Sequence, residues 1–300
     1  MKNHVLIWLC GEDMTLLGGA IVALVNDVGP IRMVGATGTV PMPLQLNGQE
    51  VPFLSKEQLS GQDVDYIILA GQHYNTRSVR YELDSYGFES AVILPDRVCC
   101  LAGFSVEKYR ALLHSKLSIF SLNCFGGFIS HLFGMPFRSP FVNLFSTEDS
   151  FLAFLEGNPA ETLFHELAFV ASRHEPVLQF DYPIFRCGDL ILHMNHYADF
   201  PSAVAKWHER KLRINFDNLF VTMYTDRADI LERFCRLPYE KKVCFTYLPS
   251  DHPSICSLRR DASDGKELWH SVDDIATGKY QTLDLFELLL HGRQVPVKAT

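Results

Sequence analysis

The stretch from Leu117 to Gly127 constrains the fold of this chain more than any other, because an apolar run stops there abruptly. The run ends in Asn123 and Cys124, and the pair Gly126-Gly127 follows directly after Phe125. Its length and apolar content are typical of a buried strand. The polar residues and adjacent glycines favour a tight turn from that strand into a helix, since glycine takes positive φ freely.

This turn is the first candidate functional site. At the start of a helix, unpaired N–H groups and the helix dipole favour anionic groups and lower the pKa of a thiol. Cys124 is therefore a candidate nucleophile, while Ser121 and Asn123 offer a hydroxyl and an amide to a substrate, and Gly126 and Gly127 let backbone N–H groups reach it. The alternative is equally open: a cysteine beside two glycines is often a small buried side chain at a close helix–strand contact.

Composition narrows the class of protein. The chain has 300 residues, 47% of them hydrophobic and 21% charged, which is enough for two domains. Its net charge of -8 argues against nucleic acid or an anionic membrane as the main partner. No segment reaches about 18 uncharged apolar residues, so we expect a cytoplasmic protein without a transmembrane segment.

Cysteine and histidine spacing gives no support for a bound metal. The eight cysteines lie in apolar settings without the spacing of a disulfide framework, so reduced thiols are expected. There is no Cys-x-x-Cys pair and no His-Glu-x-x-His signature. We therefore assign no metal ligands, and metal dependence and cofactor stay open.

Alternating strand and helix patterns predict two α/β units. Residues 1–111 form an N-terminal half-Rossmann-like module, with strand patterns at 4–9, 31–35 and 65–71 and a helix at 15–26. Its first turn reads Cys10-Gly11-Glu12-Asp13 rather than Gly-x-Gly-x-x-Gly, so a dinucleotide site is not indicated. Residues 112–300 form a C-terminal α/β domain with a mainly parallel sheet, and a last helix is predicted at 282–291.

Polar residues follow three apolar runs of the second unit. Asn123 and Cys124 follow the first, His193 and His196 the second, and Asp226 the third. If these runs are neighbouring parallel strands, their carboxyl ends meet at one edge of the sheet. The sequence therefore predicts one pocket there, with His193, His196 and Asp226 as candidate catalytic residues beside Ser121 and Cys124.

A helix predicted over 202–215 supplies candidate binding residues. Trp207, Arg210 and Lys211 are three and four positions apart, so they share one side of the helix. Trp207 could stack on a sugar ring or base, and Arg210 or Arg213 could hold a phosphate or carboxylate. The alternative is a basic face that covers a buried tryptophan.

Several of these motifs occur in the same order in a known family. The series comprises residues 121–127, 139–145, Tyr182-Pro183 with Gly188-Asp189, His193 with His196-Tyr197, 207–215, Asp226-Arg227 and 237–239. Over about residues 115–250 the chain resembles the bacterial domain-of-unknown-function family 1919, whose members are commonly called exopolysaccharide biosynthesis proteins. Leu122 and Phe125 stand where the family typically has asparagine and tryptophan. Asn215 belongs to the binding set on the strength of this resemblance.

Three functions remain open at this point. The first is a transferase of exopolysaccharide or capsule assembly, in which a nucleotide-sugar or acyl donor and a sugar acceptor bind over the strand ends; the resemblance implies the setting and not the reaction. His193 or His196 would act as general base, while Arg210 and Arg213 hold the phosphate. The second function is an esterase-like hydrolase with Ser121 or Cys124 as nucleophile. The third is a non-catalytic sugar- or nucleotide-binding protein, and a homo-oligomer is compatible with each.

Overall fold

The computed structural model describes residues 3–38, 43–46, 48–72, 74–177, 179–260, 265–281 and 283–297. The chain divides into two compact units, Met1–Arg110 and Ala111–Thr300. The boundary falls within a helix, α5, and each unit has its own buried core. The fold is α/β, as predicted.

The first unit contains strands β1 to β6 and helices α1 to α5. In chain order they are β1 (Asn3–Leu9), α1 (Leu17–Val28), β2 (Ile31–Gly38), β3 (Leu44–Leu46), β4 (Gln49–Val51), α2 (Lys56–Leu59), β5 (Tyr66–Ala70), α3 (Thr76–Asp84), β6 (Val92–Pro95), α4 (Asp96–Cys99) and α5 (Val106–His114).

A parallel sheet of order β2-β1-β5-β6 forms the centre of this unit. Its inner strands, β1 and β5, read as nearly continuous apolar runs because both of their faces are covered, as is usual in parallel sheets. Leu6, Trp8 and Ile67 pack in its core. The parallel sheet and its helices agree with the predicted α/β class, and the half-Rossmann-like description of this unit stays a prediction.

The second unit contains strands β7 to β13 and helices α6 to α12. They are β7 (Ser118–Ser121), α6 (Phe125–Leu132), α7 (Glu148–Glu156), α8 (Pro159–Thr162), β8 (Leu167–Glu175), β9 (Phe180–Cys187), β10 (Leu190–His193), α9 (Phe200–Lys211), β11 (Leu219–Tyr224), α10 (Ala228–Cys235), β12 (Lys241–Thr246), β13 (Ile255–Ser257), α11 (Leu268–Ala276) and α12 (Leu285–His291).

A second parallel sheet, of order β13-β12-β11-β7, positions the turn after β7. Ser121 pairs with Thr222, so β7 and β11 end side by side. The two faces of the sheet carry different cores, because alternate residues of a strand point to opposite faces. On one face Phe125 of α6 packs against Phe220 and Phe245, with ring centroids 6.4 and 5.8 Å away. On the other face Phe120 joins the larger core cluster.

The strand that carries His193 belongs to a different sheet, and the prediction of three neighbouring parallel strands is wrong there. β10 pairs antiparallel with β9, which pairs antiparallel with β8. The segment between the sheets joins them: Phe145 forms an antiparallel bridge with His193, and the Ser146 N–H donates to the carbonyl of Leu122 at 2.9 Å. His193 and His196 therefore do not follow a parallel strand beside β7.

The last helix begins later than predicted. Thr282 lies outside the described residues, and Asp284 caps α12 by accepting from the N–H groups of Phe286 and Glu287 at 2.9 and 3.0 Å. Gly292 ends the helix with φ of 66°. Within the part of the chain that the structure describes, no helix has the length and apolarity needed to cross a bilayer.

Candidate active site at the carboxyl edge of the second parallel sheet

Ser121 holds the turn between β7 and α6. Its Oγ donates to the carbonyl of Asn123 at 2.7 Å and accepts from the N–H of Gly126 at 3.2 Å. The side chain is fully buried. With the hydroxyl committed to two backbone groups and closed to solvent, Ser121 is a structural residue of the turn in this conformation.

Gly126 and Gly127 allow α6 to pack closely, which differs from the reason predicted. Neither has positive φ, and both lie within the helix. A Cβ at Gly126 would lie 3.0 Å from Cγ2 of Ile119, and one at Gly127 would lie 3.2 Å from Cγ1 of Val142. The glycines remove side-chain bulk from a tight helix contact, and the predicted left-handed geometry is wrong.

The Cys124 thiol is not activated by the start of α6. Burial raises its pKa to about 11, and the charge of Asp273 acts in the same direction. Its Sγ lies 3.8 Å from the carbonyl oxygen of Leu144. The predicted lowering of the thiol pKa is wrong, because loss of hydration outweighs the helix dipole here.

Asn123 instead forms a polar pair with a residue that the sequence analysis did not identify. Its Nδ2 donates to Oδ1 of Asp273 at 3.0 Å, while its own Oδ1 accepts from the N–H of Phe125 at 3.2 Å. Asp273 lies on α11, 150 residues further along the chain, so no local pattern connects the two. Burial raises the pKa of Asp273 to about 6, although the bond from Asn123 lowers it.

Tyr224 and Glu148 extend this polar group along the same edge. Tyr224 is the last residue of β11, and burial, followed by the charges of Asp273 and Glu148, raises its pKa. Glu148 is the first residue of α7, and burial also raises its pKa although the Thr225 hydroxyl and Arg227 oppose the shift. Several acids with raised pKa values therefore gather where β7 and β11 end.

Asp226 is on this edge too, as predicted, but it connects strand ends. Its Oδ1 accepts from Oγ1 of Thr246 at 3.0 Å and from the N–H of Tyr247 at 2.7 Å. The residue itself is exposed. Its catalytic role stays a prediction, and its visible role is to tie the end of β11 to the end of β12.

His193 and His196 lie at the end of β10, in the antiparallel sheet. The buried His193 ring stacks on Phe145 with centroids 4.5 Å apart, and burial and the charge of Arg173 lower its pKa. Loss of hydration lowers the pKa of His196, opposed by Glu175. Among the described residues, no hydrogen bond or ion pair joins either histidine to Asn123, Cys124 or Asp226.

Most of the binding residues predicted on α9 and just after it already contact other groups of the protein. Trp207 is 2% exposed and packs in the core, so the expected exposed aromatic surface is wrong. Arg210 is buried and donates to the carbonyl of Val142 at 3.1 Å and to the Tyr197 hydroxyl at 2.6 Å. Arg213 pairs with Glu209 on the surface. The alternative is right that Trp207 is buried, but Arg210 and Lys211 are buried with it and do not form an exposed basic face.

Asn215 also forms hydrogen bonds within the protein. Its N–H donates to Oγ of Ser118 at 2.9 Å, and its Nδ2 donates to the carbonyl of Lys116 at 3.2 Å. These bonds hold the loop after α9 against the start of β7. A substrate contact by Asn215 stays a prediction.

An open cleft of about 830 Å³ adjoins the Asn123–Asp273 pair. It is lined by residues of α6 and α11 and of the segments that flank α11, among them Phe128, Lys266, Asp273, Asp274, Lys279 and Tyr280. A half-buried carboxyl with a pKa near neutrality, oriented by an amide and facing a cleft, can accept a proton from a bound hydroxyl.

The part of the chain that matches a known family covers most of the second unit and the end of the first. The model of the family described as a domain of unknown function (DUF1919) matches residues 97–289. An uncharacterized protein of Haemophilus influenzae is 38% identical over 144 residues, which are 47% of this chain and 66% of that protein. A structure of aspartate semialdehyde dehydrogenase II from Vibrio cholerae, complexed with ASA, aligns over 52% of this chain and 46% of that chain with 8% identity and a TM-score of 0.23.

Proposed function

The chain belongs to the DUF1919 family, and from the site within its matched region we propose that it is a transferase that acts on a sugar hydroxyl. The observation that carries the proposal is the Asn123–Asp273 pair beside the cleft. A carboxyl with a pKa of about 6 is mostly ionised at neutral pH, yet it is more basic than an ordinary aspartate. Asp273 thus takes the role of general base that the sequence analysis assigned to His193 or His196.

In the proposed reaction the acceptor hydroxyl gives its proton to Asp273 as its oxygen attacks the activated carbon of the donor. The donor is either a nucleotide-linked sugar, whose bond to the nucleoside diphosphate breaks as the new bond forms, or an acyl thioester, whose bond to the thiol breaks when the tetrahedral adduct collapses. The proton then passes to solvent. Asn123 positions Asp273, since its amide bonds one carboxylate oxygen and leaves the other for the acceptor.

The biological setting rests on the resemblance to exopolysaccharide biosynthesis proteins. We propose that the protein serves surface-polysaccharide assembly in the cytoplasm, where such donors are made. The hydrolase alternative is less well supported, because Ser121 is buried and committed and the pKa of Cys124 is raised to about 11.

The test is product formation by the purified chain of 300 residues. We would incubate it with nucleoside-diphosphate sugars or acyl thioesters and with sugar acceptors, and detect products by mass spectrometry. Asp273→Asn should lower turnover by about 100-fold or more, the usual contribution of general base catalysis. Glu232→Gln, at an exposed glutamate of α10, is the matched control and should leave turnover unchanged.

Three results would contradict the proposal. Full turnover by Asp273→Asn would show that Asp273 is not the general base. Absence of product from every donor would favour a binding protein. A covalent intermediate on Ser121 or Cys124 would favour the hydrolase.

A further inference from the structure

The charges around the cleft indicate which substrate it takes. Asp274 lies 3.0 Å from the Lys266 ammonium and 3.7 Å from that of Lys279, measured from its carboxylate oxygens. Asp273 adds a second carboxylate to the same lining. Among the described lysines and aspartates of the lining, two positive charges meet two negative ones, and both lysines already have a carboxylate partner.

This balance is unfavourable for a diphosphate. A phosphate group would compete with Asp274 for both lysines and would lie near the charge of Asp273, which repels it. Sites that bind phosphates usually present surplus arginines, lysines or helix N-termini. The carboxylates of Asp273 and Asp274 add acceptors to the lining, and a phosphate, itself an acceptor, cannot donate to them.

The same lining suits an uncharged, hydroxyl-rich ligand. A hydroxyl group can donate to the Asp273 oxygen that Asn123 does not bond, and to lone pairs that the ion pairs with Lys266 and Lys279 leave open on Asp274. Phe128, which is 36% exposed, and Tyr280 add aromatic surface for the apolar faces of a sugar ring. The cleft volume of about 830 Å³ is within the range of small-molecule sites.

We infer that this cleft binds the acceptor as a neutral oligosaccharide, and that the anionic donor binds elsewhere. The inference rests on the proposed function in one respect: the bound sugar is the acceptor only because Asp273 would take a proton from it. Lys266 and Lys279 then hold the Asp274 side chain in place and do not serve as a phosphate clamp.

Saturation-transfer NMR on the full chain tests this assignment. The probes are uncharged trisaccharides of glucose, galactose and N-acetylglucosamine, with UDP-glucose as the anionic competitor. We expect saturation transfer to at least one trisaccharide, without displacement by UDP-glucose. Tyr280→Ala and Phe128→Ala should each weaken binding about tenfold, whereas Tyr81→Ala, at a tyrosine of α3 that is 84% exposed, should not.

Melting temperatures identify any variant that fails to fold, and Tyr280→Phe, which keeps the ring, should retain binding. The inference is overturned if no trisaccharide binds, if Tyr280→Ala and Phe128→Ala bind it normally, or if UDP-glucose displaces it. Trisaccharide binding without product from any donor would remove the proposed reaction and leave the inference standing. Product formation together with displacement of the trisaccharide by UDP-glucose would support the proposed reaction and overturn the inference.

Discussion

Burial has opposite chemical consequences for the two acids nearest the turn after β7. It raises the pKa of the Cys124 thiol to about 11, which removes the thiolate at neutral pH. It also raises the pKa of Asp273 to about 6, which brings that carboxyl close to the pH at which a general base works best. One environment therefore disfavours the nucleophile that the sequence suggested and favours a base that it did not.

Alkylation tests the state of Cys124. At pH 7.5 a thiol with a pKa of about 11 has about 100-fold less thiolate than one with a pKa near 9. Cys124 should react with iodoacetamide at least that much more slowly than N-acetylcysteine, as followed by peptide mass spectrometry on the folded protein. Cys124→Ser should fold and keep the proposed turnover. Alkylation as fast as that of the free thiol would contradict this assignment.

Asp273→Asn should stabilise the protein at neutral pH. Because the pKa of Asp273 is raised in the fold, its ionisation lowers the free energy of unfolding as pH rises from about 4 to about 6. The neutral amide avoids this loss, so we expect a gain of about 1 kcal/mol at pH 7 after allowance for solvent screening. The gain should disappear below about pH 4, where the aspartate is protonated in both states.

Asp229→Asn is the control for this effect. Its side-chain bonds with Arg227 lower the pKa of Asp229. The substitution should therefore destabilise the protein at pH 7, and the difference should shrink as pH falls through the folded-state pKa. Urea unfolding at several pH values measures both variants, and the same sign for both would contradict the account.

At the scale of elements, β7 and α6 show what local sequence can predict. The strand, the turn and the helix occur where the pattern places them. The spacing of apolar residues and the glycine content are properties of a short segment, so the sequence of that segment is enough to predict them. Glycine is needed at position 126 for a reason other than positive φ, because a side chain there would meet Ile119 across the contact between α6 and β7. That contact depends on how closely the helix approaches the strand, which no local pattern records.

Gly126→Ala should destabilise the second unit. The new Cβ would lie 3.0 Å from Cγ2 of Ile119 and 3.3 Å from Oγ of Ser121, so the helix must shift. Overpacking costs about 1–3 kcal/mol, and the better helix propensity of alanine offsets up to about 1 kcal/mol. We expect a net loss of about 1 kcal/mol in urea unfolding.

Gly18→Ala is the matched control for this prediction. Gly18 lies in α1, is exposed, and has open space where a Cβ would be built. Alanine should therefore gain about 0.5–1 kcal/mol there through helix propensity alone. A loss at Gly18 or a gain at Gly126 would show that packing does not decide the difference.

At the scale of the whole molecule, sequence predicted the α/β class and missed the pairing of β10. The run before His193 resembles a strand of either sheet, and only its pairing with β9 makes it antiparallel. Asp273 was missed for a similar reason, because its partner Asn123 is 150 residues away. Both errors concern contacts between distant segments, which the composition of a single segment does not encode.

The separate cores of the two units predict independent folding. The larger core cluster begins at Phe120 and includes β9, β11 and α9, all in the second unit. A fragment of residues 115–300 should therefore unfold cooperatively, as followed by circular dichroism during heating. A fragment without a cooperative transition would show that the second unit depends on the first.

The titration of Asp273 tests the central claim most directly. With carbon-13 in the aspartate carboxyl groups, NMR can follow this side chain from pH 3 to pH 8. We predict a midpoint at about 6, and a higher midpoint in Asn123→Leu, because the amide bond from Asn123 lowers the pKa of Asp273. A midpoint near the ordinary aspartate value of about 3.9, or no rise in Asn123→Leu, would contradict the account of the site.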